Sequence, residues 1–180
     1  MIRLFYVALF LQSISSCAPV RSAYTQKLHD RFEWKEADLK KVQFYLSEDI
    51  VLRRQADGQG KAEIASGHIK IIDGTRYEIV KFKKGIPGVL LFMPKENRMA
   101  VSFEGNGSTD NFLMFGPNPN YNHKYVLLAS DWNKQSGEVT YQGKKWTTAS
   151  RSAFAGLTIN LKNIDQYHTE ARVAKGRTVE

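Results

Sequence analysis

From Lys41 onward, apolar and polar residues repeatedly alternate along the chain. Val42, Phe44 and Leu46 take every second place, with Lys41, Gln43 and Tyr45 between them. Met99, Val101 and Phe103 repeat the pattern against Arg98, Ala100, Ser102 and Glu104. Leu157, Ile159 and Leu161 do so against Thr158, Asn160 and Lys162, and Val139 and Tyr141 more briefly. Successive side chains of a strand point to opposite faces, so each segment predicts a strand with one apolar and one wetter face. Three runs, 89–93, 112–115 and 125–129, are apolar at nearly every position. Short continuous apolar runs bounded by turns suit strands covered on both sides. The cover would be a helix, a loop or the wall of a tight barrel; alternatively, one face docks another protein.

Turn signals punctuate these runs. They fall at Asp57-Gly58, Asp73-Gly74, Gly85 to Gly88, Gly105-Asn106-Gly107, Gly116 to Asn120 and Gln142-Gly143. Asp73-Gly74 and Gln142-Gly143 each separate two strand-like segments and predict hairpins. Leu28, Phe32 and Leu39 carry a weaker helical period, with Trp34 beside them. The expected fold is all-β and mainly antiparallel, a sandwich or small barrel with a short N-terminal helix. Strands of this length, interrupted by charge, do not suit a membrane-spanning barrel, which needs about 9–11 residues per strand.

The N-terminus has another pattern. Met1-Ile2-Arg3 is followed by the apolar run from Leu4 to Leu11, then Gln12-Ser13, then Ile14-Ser15-Ser16-Cys17. A basic start, a short apolar run and small residues make a secretory signal. The run is shorter than the roughly 20 residues a spanning helix needs. With Ile three places before the cysteine and small residues between, the segment resembles the signal peptide and lipobox of bacterial lipoproteins. That resemblance implies cleavage before Cys17 and acylation of Cys17, by a diacylglycerol on its sulfur and an acyl chain on its amino group. Two or more chains hold a protein stably at a bilayer. The resemblance also implies outer-membrane sorting, since Ala18 rather than Asp follows the cysteine, and a periplasmic orientation. The expected division is therefore 1–16 signal peptide, 17–27 lipidated tether and 28–180 a single β-rich domain.

Composition fits that division. Cys17 is the one cysteine of 180 residues, so no intramolecular disulfide forms, and lipidation accounts for the odd thiol. The net charge is +8, with basic residues clustered at Lys40-Lys41, Arg53-Arg54, Lys81 to Lys84 and Lys144-Lys145. Such charge suits anionic head groups, cell-wall polymers or an acidic protein, or else solvated strand edges. Nucleic acid is not expected as a partner in an exported protein.

Catalytic signals are weak. His29, His68, His123 and His168 are widely separated, and no metal or other cofactor is expected from their spacing. No serine stands in Gly-x-Ser-x-Gly. Glu104, Asp110 and Asp131 sit at turns, where acidic side chains bond nearby backbone. The most distinctive loop is Pro117-Asn118-Pro119-Asn120-Tyr121-Asn122-His123, with amides and aromatics suited to a sugar or peptide. With Trp132 and Trp146 it forms the candidate contact surface. The sequence thus points to a lipid-anchored envelope protein with a non-catalytic binding or scaffolding role and an envelope protein as partner. A glycan- or cell-wall-binding module and a hydrolase with a dispersed site are the rivals.

Overall fold

A computed structural model of the chain describes residues 20–56, 68–72, 75–105 and 109–162. Cys17 and the signal-like segment, His168, the tail from Ala174, and the turn residues Asp57-Gly58, Asp73-Gly74 and Asn106-Gly107 lie outside the described residues.

Twelve strands and two short α-helices appear among the described residues: β1 (Ser22–Ala23), α1 (Gln26–Phe32), α2 (Glu36–Leu39), β2 (Phe44–Leu46), β3 (Ile50–Gln55), β4 (His68–Ile72), β5 (Thr75–Phe82), β6 (Pro87–Lys95), β7 (Arg98–Ser102), β8 (Leu113–Asn118), β9 (Lys124–Leu127), β10 (Ser136–Tyr141), β11 (Lys144–Ala149) and β12 (Leu157–Ile159). Seven form one sheet in the order β1-β12-β2-β6-β7-β8-β9, and five form a second in the order β10-β11-β3-β5-β4. Every pairing is antiparallel. Among the described residues the result is an all-β, sandwich-like fold without a closed barrel. The larger sheet nevertheless curls until its ends meet. Isolated bridges join Thr25 to Lys124 and Val126 to Gly156.

Local chemistry explains the elements. Tyr141 pairs with Lys144 across Gln142-Gly143, and both turn residues have positive φ, as a type I′ hairpin requires. β4 and β5 pair with Ile72 opposite Thr75, the register of the other expected hairpin. Thr25 caps α1 by accepting the Leu28 N–H at 3.2 Å, and Glu33 ends that helix in a left-handed conformation. The expected single helical stretch is therefore two helices. The Glu36 carboxylate ties α2 to β6 by accepting the Met93 N–H at 3.0 Å.

The alternating positions supply the core. Val42, Phe44, Leu46, Met99, Val101, Phe103, Val139, Tyr141, Leu157 and Ile159 are all buried in one hydrophobic cluster. Two expectations change. The expected tether, 17–27, includes residues that belong to the domain: Ser22–Ala23 pairs with β12, and Tyr24 is fully buried. Tyr24 packs on Phe44, Trp34 and Tyr125, with ring centroids 5.4, 6.1 and 4.9 Å away. The aromatic content of this segment drives it into the core. The apolar runs also divide. In β9, Tyr125, Val126 and Leu127 are all buried, as expected. In β6, Leu90 is buried but Val89 and Phe92 are exposed.

Candidate functional site

Chain segments far apart in sequence converge where the curled sheet meets itself, and they enclose a groove of about 360 Å³. Arg21 precedes β1, Ser47 and Glu48 follow β2, and Lys84 and Gly85 lie between β5 and β6. Tyr121 and Lys124 come from the β8–β9 connection and the start of β9, and Phe154 from the 3₁₀ turn before β12.

Three cations and one carboxylate line the groove. The Arg21 guanidinium lies 3.7 Å from the centroid of Tyr45, a cation–π contact, and its Nη1 donates to the Gly85 carbonyl at 3.4 Å, which leaves its other N–H groups for an acceptor. Lys84 Nζ is 3.4 Å from Glu48 Oε1, a loose exposed pair. The Lys84 backbone N–H donates to Asp49 at 2.7 Å and holds this loop in place. Lys124 Nζ lies 4.3 Å over the Tyr121 ring. Tyr121 and Phe154 meet edge to face at 5.3 Å, and both are exposed, Phe154 by 54%. Backbone and hydroxyl hydrogen bonds tie the floor together. Ser47 and Gly156 exchange hydrogen bonds, each at 2.8 Å, and Thr158 Oγ1 donates to the Tyr45 carbonyl at 3.1 Å. Gly156 is required there, because a Cβ would stand 2.8 Å from the Tyr125 carbonyl oxygen. The groove thus sets three cations, one of them loosely paired with Glu48, beside aromatic surface, an arrangement that can hold an anion.

The sequence-predicted contact residues are dispersed. Pro117 and Asn118 belong to β8, where Pro117 pairs with Tyr125. The Asn118 side chain accepts the Asn120 N–H at 2.9 Å, and its carbonyl accepts the His123 N–H at 2.9 Å. Pro119 and Asn120 form the 3₁₀ turn with Tyr121, and His123 stands exposed with positive φ. These amides and prolines build the turn, and Tyr121 alone of the loop lines the groove. Trp132 lies beyond the far end of β9, its ring against Gly137. Trp146 is a correction to the contact surface. It is 3% exposed in the core, and its indole N–H donates to the Tyr141 carbonyl at 2.9 Å.

A second surface stands out. Leu90, Met99, Val101, Leu113 and Phe115 point inward, so alternation turns Val89, Ala100 and Met114 to the other face, and the register shift between Leu90 and Phe92 brings Phe92 onto it, opposite Ala100, which is itself covered. Phe92 and Phe112 meet edge to face at 5.1 Å on this outer side. Arg98 shares the face and is exposed. An outer sheet face is ordinarily polar.

No family model matches the chain, and no curated protein or solved structure matches it. What the site can do must therefore come from its residues.

Buried polar chemistry lies in a third place. Tyr24 Oη and His29 Nδ1 are 2.7 Å apart, and Tyr125 Oη donates to Gln26 Oε1 at 2.8 Å. Burial pushes both tyrosine pKa values up and the His29 pKa down from its ordinary 6.5. The Tyr125–Gln26 bond braces α1 against β9, and the Tyr24–His29 contact fixes the buried His29 ring beside Tyr125, the ring centroids 6.1 Å apart.

Sequence reasoning missed Arg21, Lys124 and Phe154. Lys84 stood in a basic cluster that the sequence does mark. Phe154 is the one large apolar residue between Thr147 and Leu157, which is the signal that could have found it.

Proposed function

We propose that this protein is a bacterial envelope lipoprotein, anchored through acylated Cys17 at the periplasmic face of the outer membrane. Its β domain binds a protein partner of the envelope and does no chemistry of its own. The supporting observation is the outer face of β6 to β8, where Val89 and Phe92 are exposed beside Phe112 and Met114. Contiguous exposed apolar surface marks interaction sites in soluble domains. Arg98 and Lys95 at its margin favour a partner with an apolar face and an acidic rim.

The test is in-cell cross-linking from position 92, then affinity purification of the full-length protein from membranes. A stoichiometric envelope protein, lost on Phe92→Lys, is the expected result. Recovery of the protein alone from both samples overturns the partner. The anchor has its own test. Cys17→Ala leaves the precursor uncleaved and without acyl chains. Normal processing and continued membrane attachment of that variant would show the lipobox reading to be wrong.

The rival glycan site required the Pro–Asn loop, Trp132 and Trp146 on one surface. Their separation, with Trp146 inside the core, favours the protein-docking reading.

A further inference from the structure

The groove of Arg21, Lys84 and Lys124 lies beside the anchor in sequence. Four peptide units separate Cys17 from Arg21, and fully extended they span at most about 14 Å. Whatever path those units take, an acylated Cys17 keeps Arg21 within about that distance of the lipid surface. Arg21 is a wall of the groove, so the groove is held within about 14 Å of the lipid surface, near the head-group zone.

The residues of the groove suit this position. Phe154 lines the groove and is 54% exposed, Tyr121 stands beside Phe154, and Val20, next to Arg21 in the chain, is 79% exposed. Aromatic rings with one wet and one apolar side favour the membrane interface. Behind them stand three cations against the Glu48 carboxylate. A guanidinium fork matches a phosphate in two parallel hydrogen bonds, and two ammonium groups add point charges. The anchor, the aromatic rim and the cations therefore all face one chemistry.

We propose that this groove binds the phosphate of an anionic phospholipid in the leaflet that holds the acyl chains of Cys17. The bound head group fixes how the domain sits on the membrane. This proposal rests on the anchor reading but is independent of the protein partner.

The experiment uses the full-length lipidated protein reconstituted in vesicles. Hydrogen exchange is followed at backbone amides 84–86, 121–126 and 156–158. One set of vesicles is phosphatidylcholine alone, and the other contains phosphatidylglycerol. A severalfold slowing at these amides with phosphatidylglycerol is expected. It should be lost in Arg21→Glu/Lys124→Glu and kept in Phe92→Lys. Raising salt from about 0.15 M to about 1 M shortens the screening length from about 8 to about 3 Å and should weaken the protection. Inorganic phosphate added to phosphatidylcholine vesicles gives the second arm. Equal protection there would make the groove a free-phosphate site and overturn the lipid assignment. Equal exchange in both vesicles, with mass spectrometry showing acylated Cys17, overturns the head-group site while leaving the anchor standing. A Cys17 peptide without acyl mass overturns both. Circular dichroism of the charge-reversal variant, expected unchanged, separates loss of binding from loss of fold.

Discussion

β6 and β9 read almost alike in sequence and end in different surroundings. Each carries a short run of apolar residues flanked by turns. In β9 the curl of the sheet brings β12 and the chain beside Tyr24 against the strand, and Tyr125, Val126 and Leu127 are buried in succession. In β6 the pairing with β7 is irregular at Leu90 to Phe92, and Val89 and Phe92 remain exposed. A run of apolar residues therefore states that both faces are apolar. Whether the second face is core or docking surface depends on which distant residues reach it.

The largest test of this contrast is a matched pair of truncations. Leu127→Ala should lower stability by about 2–5 kcal/mol, as cavity-forming changes in packed cores do. Val89→Ala should stay within about 0.5 kcal/mol, as for a substitution exposed to solvent. Urea unfolding midpoints at constant slope check both. Equal costs would mean that β6 is covered in solution and would remove the proposed docking face.

The closure beside β9 can be broken from the other side. Gly156→Ala places a methyl 2.8 Å from the Tyr125 carbonyl oxygen, a backbone atom with little room to move. Overpacking of this kind costs about 1–3 kcal/mol. Gly105 has no atom near its would-be Cβ, so Gly105→Ala should change stability by less than about 0.5 kcal/mol. Thermal unfolding of the two variants compares them directly, and a harmless Gly156→Ala would show that the sheet ends do not meet tightly.

The brace under β9 predicts a pH dependence. Burial lowers the His29 pKa in the folded state, with Asp30 and Glu96 opposing that shift. The unfolded chain then binds the proton more readily. The stability held by neutral His29 is complete above about pH 6.5, and it falls as pH drops below 6.5 toward the folded value. His29→Gln should cost about 1 kcal/mol at pH 8, the worth of one buried hydrogen bond. It should also flatten this part of the pH profile. A variant that loses stability between pH 7 and 5 as steeply as the parent would assign that dependence elsewhere.

What the sequence made legible follows from the range of each interaction. Alternation at Val42, Phe44 and Leu46 named core residues correctly, because it reflects strand geometry within a few residues. The tether boundary failed at Tyr24, whose burial depends on Phe44 and Tyr125, and no local period marks it. The candidate site was harder. Tyr121 was found because it sits in a distinctive loop. Its neighbours Arg21, Lys84 and Phe154 come from three other parts of the chain. Trp146 was misplaced because an aromatic in a polar-looking strand does not show which of its faces is inward.

The smallest effect concerns a part of the molecule that both sequence and structure define. Gln142 and Gly143 turn the β10–β11 hairpin with φ of 53° and 66°. A left-handed backbone costs an ordinary L residue about 1–2 kcal/mol, and asparagine less, because its side chain bonds locally. Type I′ hairpins accordingly favour Asn-Gly. Gln142→Asn should raise stability by about 0.5 kcal/mol, a fraction of that cost. Gln142→Val should lower it, since a β-branched residue tolerates positive φ worst. The hairpin lies in the five-stranded sheet, and neither Gln142 nor Gly143 lines the groove. Both changes should therefore move the urea midpoint while leaving exchange at residues 121–126 unaltered. A turn variant that altered groove exchange would show that the hairpin of the five-stranded sheet is coupled to the groove in the other sheet.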